Sequence, residues 1–216
     1  MTATGYPGQA TATAEAPGLF GRVMGLVALT VGFATLGVWL MHSYSGSAWF
    51  FAWLLALGCL VGLNLASARG NTGLALTLLF AFGLLIGVSV SATIRYYSAT
   101  DPTAVRQAFG ATALFVGGLG SAGYATRRDL SFLYRILFWL LLGLIAAGLV
   151  LIFVHIPAAY TAWTVIGLGI FGLYTVVDFN RLRRAGTGEA IPLAAGIFLD
   201  VLNIFLLFLR LFSGSR

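Results

Sequence analysis

Charge-free apolar runs divide this chain. Residues 23–68 carry no charged side chain, which is length enough for two membrane crossings, and the polar stretch from His42 to Ser47 separates them. Residues 70–94 form a third run and 107–126 a shorter, glycine-rich fourth. Residues 136–177 supply two more, divided at His155-Ile156-Pro157, and the last run, 190–212, is interrupted by Asp200. A helix needs about 20 apolar residues to cross the hydrocarbon core. The pattern therefore predicts an all-α membrane protein with seven transmembrane helices over residues 20–213. The segment 1–19 is rich in Ala, Thr, Gly and Pro and reads as a flexible tail. It lacks a basic n-region, and the apolar run after Arg22 is too long for a signal-peptide core, so no cleavage is expected.

Composition agrees with this reading. Hydrophobic residues make up 60% of the chain, charged residues 8%, and the mean hydropathy is +0.98. A soluble domain carries about 25% charged residues, so a chain this poor in charge could not cover its surface in water. The net charge of +6 comes from arginine alone, since the chain contains no lysine. In a soluble protein that balance would suggest nucleic acid. In this chain arginines holding loops against an anionic leaflet explain it better, and no nucleic-acid partner is expected.

The arginines also orient the bundle. With the N-terminus in the cytoplasm, Arg22, Arg69, Arg127, Arg128, Arg181, Arg183 and Arg184 fall inside, against Arg95, Arg106, Arg210 and Arg216 outside. Arg135, near the inner end of the fifth span, adds to the bias. Small residues recur at helix-packing spacing, as in Gly21/Gly25, Ala28/Gly32, Gly58/Gly62 and Gly117/Ser121. Gly118-Leu119-Gly120-Ser121-Ala122-Gly123 matches the dinucleotide fingerprint in letters only. It lies inside a span, without the strand that the fingerprint requires, and close helix packing accounts for its glycines. Cys59 is a lone thiol in an apolar stretch, and His42 and His155 lack metal-ligand spacing, so both histidines read as interfacial.

Chemistry must come from few residues. Of the acidic residues, Glu15 lies in the tail, and Asp101, Asp129 and Glu189 fall in loops. Asp178 and Asp200 fall in spans. An aspartate at a span centre costs about 2.5–3.5 kcal/mol on insertion scales. Asp200 has no basic residue within a turn and only Asn203 as a polar neighbour. It is therefore either a neutral group hydrogen-bonded across the bundle or an ion or proton site. Asp178 has Arg181 three residues on as a local partner. A short loop joins spans six and seven. Ideal geometry puts the two aspartates at different depths, so their meeting needs an irregular entry near Pro192. If they meet, they cannot both ionise cheaply and would share a proton. Such a pair could bind a hard cation such as Ca²⁺ through oxygen.

The stretch Thr175-Val-Val-Asp178-Phe-Asn180, then Ile191-Pro192, then Phe198-Leu-Asp200-Val-Leu-Asn203-Ile-Phe-Leu-Leu-Phe-Leu-Arg210, resembles the close of the Bax inhibitor/YccA family. Arg127-Arg128-Asp129-Leu130-Ser131 resembles that family's basic loop before helix five. The resemblance matches in span count over the whole chain and in motif over the last 90 residues or so. It implies a bacterial inner-membrane protein in which six helices surround a central C-terminal helix, the two matching aspartates sense pH, and Ca²⁺ leaks across the membrane. In a bacterial member a basic residue near the helix two–three junction latches the closed pore. Arg69 is the nearest candidate, with Ser67 at the matching position. Where that family places an acidic residue in helix two, Ala56 stands.

The resulting expectation is a pH-sensitive Ca²⁺ leak channel, not an enzyme and without a cofactor. Asp178 and Asp200 sense pH and coordinate the ion, Asn203 supports Asp200, and Arg69 gates. The rival expectation is a regulatory protein that binds another membrane protein, such as a protease. An intramembrane aspartyl enzyme would need a Gly-x-Gly-Asp setting beside its second aspartate, and Asp200 lacks one.

Overall fold

A computed structural model of the chain describes residues 11–41, 48–154 and 156–214. His42 and His155 lie outside the described residues. Seven long helices follow in order: α1 (Thr11–Leu40), α2 (Ala48–Ala68), α3 (Thr72–Thr100), α4 (Pro102–Ala125), α5 (Leu133–Phe153), α6 (Pro157–Leu182) and α7 (Ala190–Ser213). A short 3₁₀ turn, Thr187–Glu189, precedes α7. Among the described residues, all seven are long and apolar enough to cross a membrane. The backbone groups of each helix are satisfied within the helix, as a hydrocarbon solvent requires.

The helices overrun the charge-free runs that mark them. Arg95, Arg106, Arg135 and Arg181 all sit inside helices. An arginine on a long flexible stem can keep its head at the interface while the helix continues, so charge marks the edge of the apolar segment and not the helix end. Helix α1 likewise begins at Thr11, within the stretch expected as tail, although the apolar segment itself starts at Gly18. Alanines at 12, 14 and 16 favour helix, which the Gly/Pro reading of that stretch undervalued. Asp101 makes the sharp turn from α3 to α4. Its N–H donates to the Tyr97 carbonyl at 2.8 Å, and its Oδ1 accepts the Ala104 N–H at 3.0 Å.

The helices are not equally buried. Helix α7 packs against α1, α2, α3, α4 and α6, whereas α5 packs on α6. More than half of the most apolar stretch of both α6 and α7 is buried, against about a tenth of α5. α6 and α7 are thus the most buried pair, with α7 touching every other long helix but α5 in extended contact.

Close approaches occur at Gly120 and Gly123, in the glycine-rich stretch that reads as helix packing, and at Gly83 and Gly87, which spacing did not single out. A Cβ on Gly83 would lie 2.7 Å from the Thr30 carbonyl oxygen, and one on Gly87 would meet Ala34, so α3 presses its backbone on α1. A Cβ on Gly123 would come within 2.9 Å of Val176 Cα, and one on Gly120 would meet the Phe179 ring at 3.0 Å, which joins α4 to α6. By contrast Gly21, Gly25, Gly32, Gly58 and Gly117 have nothing within 4 Å of an added Cβ. Spacing shows that a helix face is smooth, and it does not show whether protein or lipid lies against it.

Candidate functional site

The last two turns of α6 carry the polar residues of the interior. Asn180 is buried at 1% exposure, and its amide ties the α4–α5 connection to α6. Its Nδ2 donates to the carbonyls of Thr126 at 2.8 Å and Arg128 at 3.1 Å, with a longer bond to Gly123 at 3.3 Å. Its Oδ1 accepts the Leu130 N–H at 3.2 Å and a guanidinium N–H of Arg184. One side chain thus satisfies a connection that has no regular structure of its own. Outside the membrane-spanning segments, Asp129 finishes the same connection. It accepts the Ser131 N–H at 2.8 Å and pairs with Arg184 at 3.0 Å. Hydrogen bonds from Ser131, seconded by Arg184, hold its carboxyl down at about 2.

Two residues before Asn180, Asp178 points the other way, into the bundle. It is 7% exposed, and its Oδ1 accepts the phenol proton of Tyr134 from α5. Its Oδ2 rests on α7 at Gly196, where an added Cβ would lie 2.7 Å away. Arg181, the local partner expected from sequence, turns to Glu189 instead, with Nε at 2.9 Å and Nη2 at 2.6 Å. The tyrosine takes the place that the arginine was expected to fill, because a helical residue three positions on lies nearer the surface, where a solvated partner is available.

Asp200 lies one turn beyond Gly196 on the same face of α7 and is 5% exposed. Among the described residues its Oδ2 is buried with no hydrogen-bond partner. The Thr175 side chain of α6 sits against this carboxyl, while its hydroxyl proton goes to the Phe171 carbonyl at 2.9 Å. Both aspartates line one cavity of about 600 Å³, together with Tyr134, Tyr174, Arg181 and Asn203. Asp178 rests at the level of Gly196, one turn or about 6 Å short of Asp200, so part of the depth difference expected from sequence remains. Glycine lets the α6 carboxyl approach the α7 backbone directly. Pro192 is in the first turn, where its missing N–H costs nothing.

Two sequence-derived roles are placed differently. Asn203 lines the cavity, but its amide donates to the Leu199 carbonyl of its own helix at 2.8 Å and not to Asp200. Arg69 is exposed in the α2–α3 turn, with its N–H donating to the Leu65 carbonyl, and it does not line the cavity. Arg181 is the arginine that does. Ser67 is turned inward, its hydroxyl buried without a partner among the described residues. Sequence reasoning missed Tyr134 and Gly196. A tyrosine one residue into an apolar helix and a lone glycine one turn before an intramembrane aspartate were the available signals.

Seven apolar helices enclosing two buried carboxyls on one cavity define a multi-pass α-helical membrane protein with a polar interior site. Comparison with known proteins narrows the class. The model of a family described as "Inhibitor of apoptosis-promoting Bax1" matches residues 18–216, and the chain belongs to that family, the Bax inhibitor family. It is 29% identical over 171 residues to the inner membrane protein YbhL of Escherichia coli K12, covering 74% of this chain and 72% of that one. It is 31% identical over 172 residues to an uncharacterised protein of Deinococcus radiodurans, covering 76% and 73%. An uncharacterised membrane protein of Streptococcus pyogenes serotype M1 is 30% identical over 158 residues, covering 69% and 68%.

Proposed function

We propose that this protein is a pH-sensitive cation leak channel of a bacterial inner membrane, with a cytoplasmic N-terminus and Ca²⁺ as the ion carried. The observation that carries the reading is the buried, partnerless Asp200 Oδ2 in the same cavity as Asp178. A buried intramembrane carboxyl with one oxygen unpartnered is by default a candidate for an ion or proton pathway. Two carboxyls flanked by hydroxyls offer a hard cation oxygen ligands, but fewer than the 6–8 or so of a tight Ca²⁺ site. Weak binding suits conduction, which requires that an ion can leave.

The cavity extends along α7. It shares Leu141, Ile145, Phe171, Asn203 and Leu206 with a second cavity of about 440 Å³ that reaches Arg210 near the other end of the helix. Protonated, the aspartates let α6 and α7 close at Gly196. Ionised, they repel each other across a poorly hydrated gap and attract a cation. The charged and titratable groups facing them are Tyr134 and Arg181, with Glu189 behind the arginine, and Tyr174 on α6. The protein acts in this reading as a conductor with no chemical step.

Liposomes holding a Ca²⁺ dye test the reading, with flux compared between the wild type, Asp178→Asn and Asp200→Asn on either side of neutrality. Wild-type flux whose pH dependence vanishes in both variants is expected. Flux indifferent to both substitutions overturns the roles of the aspartates. No flux at all, with a membrane protease copurifying and its turnover depending on this chain, replaces the channel with a regulatory partner.

A further inference from the structure

The far end of α7 holds an arginine that the channel reading leaves unused. The Arg210 guanidinium stacks 4.7 Å from the Tyr160 ring centroid and 5.4 Å from that of Trp163. Both rings are held in place from α5: the Trp163 indole N–H donates to the Leu144 carbonyl at 2.8 Å, and the Tyr160 hydroxyl to the Leu151 carbonyl. The aromatic cage therefore precedes any ligand. It covers the guanidinium's face and leaves its N–H edge. Among the described residues no carboxylate pairs with that edge. Asp101 lines the outer side of the same mouth, where one of its oxygens caps α4.

Below Arg210 lies the 440 Å³ cavity, walled by Leu141, Leu144 and Ile145 of α5 and by Leu206 and Leu207 of α7. Its volume is within the roughly 300–1,000 Å³ of ordinary ligand sites. Thr93 and Tyr97 of α3 form the opposite wall. Among the described residues α5 makes no extended contact with α3, and Thr93 of α3 and Ile145 of α5, both on the cavity, are exposed, so the cleft is open at the seam between these helices.

We infer that this cleft is a binding site for an anionic phospholipid. Its phosphate sits on the caged Arg210, and one acyl chain runs along α7 toward Asn203. A planar guanidinium with a free edge matches a phosphate bidentately. The aliphatic walls match a hydrocarbon chain, and the step from Arg210 to Asn203 is about 10 Å of helix, well within such a chain's reach. Charge complementarity and the lateral opening select a lipid over a soluble anion, since a free phosphate would leave the aliphatic cleft empty. The cleft continues the cavity of the channel reading, so an acyl chain in it would occupy that cavity's Arg210 end; the binding itself requires no ion flux.

The purified full chain in neutral detergent provides the test. Thermal unfolding is followed with phosphatidylglycerol, with phosphatidylcholine of the same chains, or with glycerol phosphate, while native mass spectrometry counts retained lipid. Phosphatidylglycerol is expected to raise the unfolding temperature by about 3 °C more than phosphatidylcholine, and glycerol phosphate to do nothing. Arg210→Gln should abolish most of that difference and the retained lipid. Ile145→Trp, a change at a half-exposed position that fills the cleft but keeps the arginine, should do the same. Arg106→Gln, at an exposed arginine of α4 outside the cleft, should leave both intact. Equal stabilisation by the two lipids overturns the inference. So does full lipid retention by Arg210→Gln, an equal loss in Arg106→Gln, or a soluble headgroup that reproduces the shift.

Discussion

Asp178 of α6 sits directly over Gly196 of α7, one helical turn before Asp200, so its carboxyl reaches the face of α7 that carries Asp200 at the point where that helix has no side chain. The approach depends on that missing Cβ. Gly196→Ala would place a methyl 2.7 Å from Asp178 Oδ2 and force the carboxyl or the helix to shift. Overpacking of this kind costs about 1–3 kcal/mol. Gly118→Ala, where an added Cβ has nothing within 4 Å, should stay within about 0.5 kcal/mol of wild type. Reversible unfolding in detergent compares the two. Equal costs would show that Gly196 is not a contact glycine.

Asp200→Asn should leave the fold as stable as the wild type or more so. It keeps the shape and removes a group that is costly to bury when charged, and replacing buried charge is often neutral or stabilising. Asp178→Asn should destabilise, because its amide oxygen accepts the Tyr134 phenol more weakly than a carboxylate does. Melting temperatures of both variants at neutral pH check this asymmetry, and a larger loss in Asp200→Asn would contradict it.

Asn180→Ala should cost about 1–3 kcal/mol, since it strips partners from part-buried carbonyls of the α4–α5 connection. The readout is proteolysis between Ala125 and Leu133, which should speed up before global unfolding. Unchanged cleavage would mean that the connection holds without its amide clamp.

Asp129 predicts a pH effect confined to that connection. Its carboxyl titrates at about 2 in the folded chain, below the ordinary 3.8. A depressed folded value contributes stability that is present above the unfolded value and lost as pH falls. The Ser131 N–H should therefore be protected at pH above about 4 and lose protection between about 4 and 2. The site is exposed, so the loss is local and the melting temperature should barely move. Amide exchange at Ser131, with Asp129→Asn as control, reads it. Protection that persists in the control would remove the carboxylate from the account.

The membrane class, the number of helices and the two aspartates were legible in the sequence because each leaves a one-dimensional mark: an apolar run of fixed length, or a charge within one. Tyr134 and Asn180 leave no such mark. Each acts on a partner across the fold, Tyr134 on a residue 44 positions away and Asn180 on carbonyls up to 57 positions away. Periodicity records which face of a helix is apolar and carries no record of what faces it. The same limit explains the glycines. Gly117 and Gly123 look alike in sequence, yet one has open space beside it and the other touches Val176. Arg69 was the nearest basic residue by alignment, whereas Arg181 lines the cavity because it lies one turn after Asp178 on α6.

The light attachment of α5 bears on how the chain enters the membrane. It is the most apolar helix of the seven, while α4 and α6 are among the least. α5 can leave the translocon into lipid unaided. α6 carries Thr175, Asp178 and Asn180; Thr175 bonds the Phe171 carbonyl of its own helix, but Asp178 and Asn180 take their partners from α5, from the end of α4 and from the α4–α5 connection. Those partners are made before α6, so its polar end can be set against α4 and α5 as it enters. Insertion of this polar helix is therefore prepared by the segments that precede it, and a chain lacking Tyr134 would leave α6 with its aspartate and no hydroxyl to set it against.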